Sequence, residues 1–107
     1  MLASPFLETR RMQFMSIVRR RTEVFSPEEF EPLLEPEAEA VRKLYAQGFV
    51  RNIWSREDVL GAVTLIEADS LEHAKSIVDS YPLMQNGMLE LEALIPLRGY
   101  RGFGPRT

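Results

Sequence analysis

The chain has 107 residues, no cysteine, and sixteen acidic against thirteen basic side chains, for a formal charge of −3. That length is one domain, and the missing thiols exclude disulfides, thiolate metal sites and cysteine nucleophiles. The acidic balance argues against a nucleic-acid partner, which needs a basic face to displace counterions from phosphates.

At 45% hydrophobic and 27% charged residues the composition is globular. The single histidine, His73, cannot build a zinc site alone. The segment Met1–Arg11 has no apolar run long enough for a signal peptide or a membrane span, so a cytoplasmic protein with no membrane partner is expected. Residues 1–11 read as an N-terminal extension, flexible as unanchored termini usually are. Residues 12–97 read as the folded domain, and 98–107 as a C-terminal tail whose Tyr100 and Phe103 suit docking on a neighbouring subunit.

Met12 to Arg19 is short, apolar and β-branched near its end, which predicts a first strand. It has apolar residues on both faces, Phe14 and Val18 on one and Met15 and Ile17 on the other, so both faces must be covered. Ser26-Pro27-Glu28-Glu29 opens a helix with an N-cap serine, a proline at the first position and a capping-box glutamate. Pro32 and Pro36 then predict a break, with the main helix from Pro36 to Gln47. Ala40, Val41, Leu44 and Tyr45 make its apolar face, and Glu37, Glu39, Arg42 and Lys43 its polar one. Gly48 is a stop signal.

Phe49 to Trp54 reads as a second strand, Ser55 to Asp58 as a polar turn, and Val59 to Glu67 as a third strand. Asp69-Ser-Leu-Glu72 repeats the capping signature for a second helix to about Ser80, ended by Tyr81-Pro82. Met88 to Leu97 forms a fourth strand. The order is βαββαβ, a ferredoxin-like α+β fold with both helices on one face of a four-stranded antiparallel sheet. The face away from the helices stays apolar, and a second copy of the chain is the economical cover, giving a homodimer or higher homo-oligomer.

Strict alternation along the strands sorts the candidate residues. Arg51 shares a face with Phe49 and Ile53, and Asn52 and Trp54 take the other. Glu90 and Glu92 share one face of the last strand, while Leu89, Leu91, Ala93 and Ile95 belong to the core. Two carboxylates on one face can raise a pKa and supply a general base near neutrality, or simply protect a sheet edge from aggregation. Arg51 in an apolar strand suits a clamp on a substrate carboxylate or enolate oxygen, or an intersubunit ion pair with Glu90 or Glu92. Trp54 suits a flat pocket wall or interface packing, with Asn52 beside it. His73, in the first turn of the second helix, suits a neutral proton carrier or a plain surface residue. Tyr81 suits the pocket mouth or ordinary packing at a helix end.

The spacing Gly48-x-x-Arg51-x-x-Trp54, then Tyr81-Pro82-Leu83 and the acidic strand Met88-Leu-Glu90-Leu-Glu92, resembles the muconolactone isomerase-like group of dimeric α+β barrel proteins. The resemblance spans residues 12–97 and is strongest over 48–94. It implies paired sheets, a pocket for a small molecule, no cofactor, and a 1,3-proton shift in an unsaturated lactone carrying a carboxylate. Where that family carries basic or imidazole side chains on the first strand, this chain has Met15 and Ile17.

Three readings follow from the sequence. In the first, Glu92 or Glu90 is the base, Arg51 the anion clamp and Trp54 the wall of an isomerase-like site. In the second, Asn52 and Trp54 serve a cofactor-independent monooxygenase or cyclase acting on an aromatic polyketide. In the third, the protein is a non-catalytic oligomeric ligand-binding protein.

Overall fold

A computed structural model describes residues 11–104. The expected N-terminal extension therefore lies outside the described residues except for Arg11, as do the last three residues of the tail. The elements run β1 (Met12–Arg20), α1 (Pro27–Ala46), β2 (Val50–Ser55), β3 (Gly61–Ala68), α2 (Leu71–Asp79), α3 (Pro82–Gln85) and β4 (Leu89–Leu97). The strands form one antiparallel sheet in the order β2-β3-β1-β4. This is the ferredoxin-like α+β arrangement. Among the described residues no helix is long and apolar enough to cross a membrane.

The capping box at α1 forms as the sequence dictates: the Glu29 N–H donates to Ser26 Oγ and the Ser26 N–H to the Glu29 carboxylate. The expected break does not occur. α1 is continuous through Pro32 and Pro36, because both rings sit on the exposed side, four residues apart. The carbonyls that lose their partners face water there, where bending a helix costs least. α2 is capped by Ser70, whose Oγ accepts from the His73 N–H, rather than by Asp69. Pro82 does end α2, but it also starts the extra single turn α3.

Phe14, Ile66, Ala68, Ala74 and Val78 are fully buried between sheet and helices. The even-numbered residues of β1 and β3 face the helices, and the odd-numbered ones form the open face. That open face carries Met15, Ile17, Val63 and Leu65, with Trp54 46% and Ile95 43% exposed.

Two bulges break the expected alternation. The β2–β3 register jumps from Val50 to Asn52, leaving Arg51 as the extra residue. The β1–β4 register jumps from Leu91 to Ala93, leaving Glu92 as the extra residue. Each bulge moves the residues beyond it to the other face. Ile53 therefore pairs with buried Thr64 and turns to the helix side, away from Arg51. Ala93 and Ile95 pair with Ile17 and Met15 and turn to the open face, not the core.

Candidate functional site

The residues singled out in the sequence do not converge. Arg51 stands on edge strand β2, and Glu90 and Glu92 on edge strand β4, three strand spacings or roughly 14 Å away. The Arg51 guanidinium Nε is 4.0 Å from Glu67 on the open face. Glu90 is ion-paired with Arg19. Glu92 lies 2.5 Å from Arg56, which also holds Asp58 at 2.7 Å and donates to the Val18 carbonyl. These guanidinium hydrogen bonds hold the carboxyls of Glu23, beside Arg19, and Asp58, beside Arg56, down to about 2. The charges thus form a rim at one end of the open face, with the apolar band of Ile17, Val63 and Trp54 next to it.

Asn52 is spent locally, its Oδ1 accepting from the Ile53 N–H. Trp54 is exposed beside its cross-strand partner Val63. His73 Nδ1 accepts from the Asp69 N–H at 3.0 Å, and its ring packs edge-on to Phe49. It belongs to the start of α2. Tyr81 is only 2% exposed and lies in the core rather than at a pocket mouth. No cluster of three or more metal-ligating side chains occurs among the described residues.

A cavity of about 420 Å³ lies instead between α1 and the helix-side face of the sheet, within the usual range for a small-molecule site. Leu34, Ala38 and Val41 of α1 wall one side, Val18 and Ala62 of the sheet another, and Leu83 closes it from α3. Two opposite charges border this apolar space. The Glu37 carboxylate accepts the Leu83 N–H at 2.9 Å. Burial raises its pKa, against the smaller opposing effects of that hydrogen bond and the charge of Arg20. The Arg20 guanidinium lies over the Phe30 ring, 5.3 Å from its centroid, and makes no ion pair among the described residues. Arg42, at the outer edge, is occupied by Glu35 and Glu39.

Sequence reasoning placed Glu37 on the polar face of its helix, and it missed Arg20 and Arg56. A signal for Glu37 was present. With α1 unbroken, Phe30, Leu34, Glu37, Val41 and Leu44 form one stripe at intervals of four and three. Glu37 is the one charge in it. Arg20 follows Val18 at the two-residue interval of the inward face of β1 in the same way. Arg56 carried no such mark, being one of three charged residues in a four-residue polar turn.

Comparison with protein-family models and with curated proteins finds no match.

Proposed function

We propose that this protein is a cytoplasmic, homodimeric enzyme that works without a cofactor. It shifts a proton within a small carbonyl or lactone compound bearing a carboxylate, an isomerase-like reaction of the muconolactone isomerase kind. The observation that carries this reading is Glu37, a carboxyl made more basic by burial, opening on an apolar cavity with a guanidinium at its edge, that of Arg20, which makes no ion pair among the described residues. Enzymes bring carboxyl pKa values towards neutrality for this purpose.

In the reaction the Glu37 carboxylate takes a proton from the carbon next to the carbonyl, and the C–H electrons pass into an enolate. The proton returns two carbons along and the double bond moves with it. No oxidant or reductant enters, and Glu37 ends as it began. Arg20 anchors the substrate carboxylate. Glu90 and Glu92 are ion-paired at the rim of the open face and Arg51 stands on the far edge strand, so the acid–base role falls to Glu37.

The homodimer is supported by the open sheet face. Met15, Ile17, Val63, Leu65, Trp54 and Ile95 make an apolar patch with charges at both ends, the anatomy of a self-association surface.

The test is proton exchange in deuterium oxide with carboxymethyl-substituted unsaturated γ-lactones. The wild type incorporates deuterium beside the carbonyl, and Glu37→Gln loses at least about a hundredfold in rate. Equal exchange by Glu37→Gln contradicts the assignment. Oxygen uptake with a phenolic substrate, and no exchange, moves the protein to the monooxygenase class.

A further inference from the structure

A groove of about 480 Å³ runs between α2 and edge strand β4 on the helix side of the sheet. Leu91 and Leu94 of β4 and Leu71 of α2 line it, and Leu71 is 47% exposed although it belongs to the apolar side of its helix. The rim is acidic. Asp79 is held by Lys75 at 2.9 Å, whereas Glu72 makes no ion pair among the described residues.

The tail that follows β4 has the complementary character. Tyr100 and Phe103 are 82% and 87% exposed, and the Phe103 N–H donates to the Tyr100 carbonyl at 3.1 Å. That turn holds the two aromatic residues within about 7 Å of each other at the backbone, with Arg101 between them and Arg98 at the base. Among the described residues neither arginine makes an ion pair, and nothing from 98 to 104 hydrogen-bonds to the body of the domain. Aromatic residues and arginine are the types that concentrate at the centre of protein interfaces. The arm does not fill the groove of its own chain. It leaves β4 at Leu97, past the groove's near end at Leu94, and turns only three residues later.

We propose that the arm Arg98–Phe103 of one copy seats Tyr100 and Phe103 in the α2–β4 groove of a second copy. Its two arginines then meet the acidic rim of Glu72 and Asp79, and two-fold symmetry repeats the exchange in return. The reach is right. When the open faces pack, the two sheets stand about 10 Å apart, and three extended residues carry Tyr100 about 10 Å beyond Leu97. A two-fold axis running across the strands lays the end of β4 over the start of the partner's β4, next to its groove. Since β4 is an edge strand, the arm has one edge to pass before it arrives on the partner's helix side. This inference rests on the homodimer proposed above and adds the seat of its arm.

The chain has no cysteine, so engineered thiols read the seat cleanly. Gly104→Cys, beside the aromatic pair, and Ser76→Cys, on the groove wall, are made as separate proteins, mixed and oxidised mildly. A disulfide joining the two positions should form between chains at least tenfold faster than one between Gly104→Cys and Glu57→Cys, on the exposed β2–β3 turn. Tyr100→Ser with Phe103→Ser should raise the dimer dissociation constant at least tenfold and leave the far-ultraviolet circular dichroism unchanged. Cross-linking no faster at Ser76 than at Glu57, in a wild type that sedimentation shows to be dimeric, overturns the arm exchange and leaves the dimer standing. A disulfide that forms within chains carrying both Gly104→Cys and Ser76→Cys, with none between chains, overturns it as well. A monomeric wild type takes down the dimer and the exchange together.

Discussion

The Arg56 guanidinium and the Glu92 carboxylate meet at 2.5 Å although Arg56 directly follows edge strand β2 and Glu92 stands on the opposite edge strand, β4. The arginine side chain leaves the β2–β3 hairpin, passes over Gly61, donates to the Val18 carbonyl of β1, and ends at the β4 bulge. It is a strap across three strands, only 14% exposed. Arg56→Met should lower the thermal midpoint clearly more than Glu92→Gln does. The first removes every bond of the strap and leaves the Val18 carbonyl short of a partner. The second weakens one ion pair and keeps a hydrogen-bond acceptor. Equal effects in differential scanning calorimetry would contradict the strap.

Gly61 makes that crossing possible. A Cβ at this position would stand 2.2 Å from the Val18 carbonyl oxygen and 2.9 Å from the Arg19 Cα, both backbone atoms. Neither can move without opening the β1–β3 ladder. Gly61→Ala should cost at least about 2 kcal/mol, at the upper part of the overpacking range. Urea denaturation that shows a loss below about 0.5 kcal/mol, within the range of ordinary surface substitutions, would contradict the close approach.

Glu37 links stability to pH. Its carboxyl binds a proton more tightly folded than unfolded, so the wild type is favoured below the unfolded-state pKa. That advantage is lost as pH rises through the higher folded-state pKa. Glu37→Gln keeps an acceptor for the Leu83 N–H and removes the charge. The variant should match the wild type in acid and be slightly more stable above neutrality. Urea midpoints across this pH range check it, and a variant less stable at high pH would contradict the burial effect.

The self-association proposed for the open face would put Ile17 at the centre of the interface, since it lies on the middle strand pair of that face. Ile17→Lys would bury an unpaired ammonium there. It should weaken the dimer by about a hundredfold or more while leaving the helix-side core untouched. Sedimentation velocity over a concentration series reads this directly. A wild type that stays monomeric at high micromolar concentration would contradict the dimer.

Element order and sheet architecture were legible because they rest on signals within a few residues: the capping box at Ser26, the stop at Gly48, apolar alternation in β1. What failed was long range. Pro32 and Pro36 predict a break because nothing local says that both rings face water. The bulges at Arg51 and Glu92 are set by pairing with another strand, and each exchanged the faces of every residue beyond it. This is why Ile95 was assigned to the core and Ile53 to the face of Arg51. The candidate site suffered most, because it had been assembled from face assignments.

Acid–base chemistry at Glu37 is tested most directly by the titration of its own carboxyl, followed by carbon-13 NMR with selectively labelled glutamate and Glu37→Gln to assign the signal. We expect a midpoint above the ordinary value of about 4.3, moved higher again when 5-phenylpentanoate brings a second carboxylate into the cavity. A midpoint at or below the ordinary value, unmoved by the acid, would contradict it.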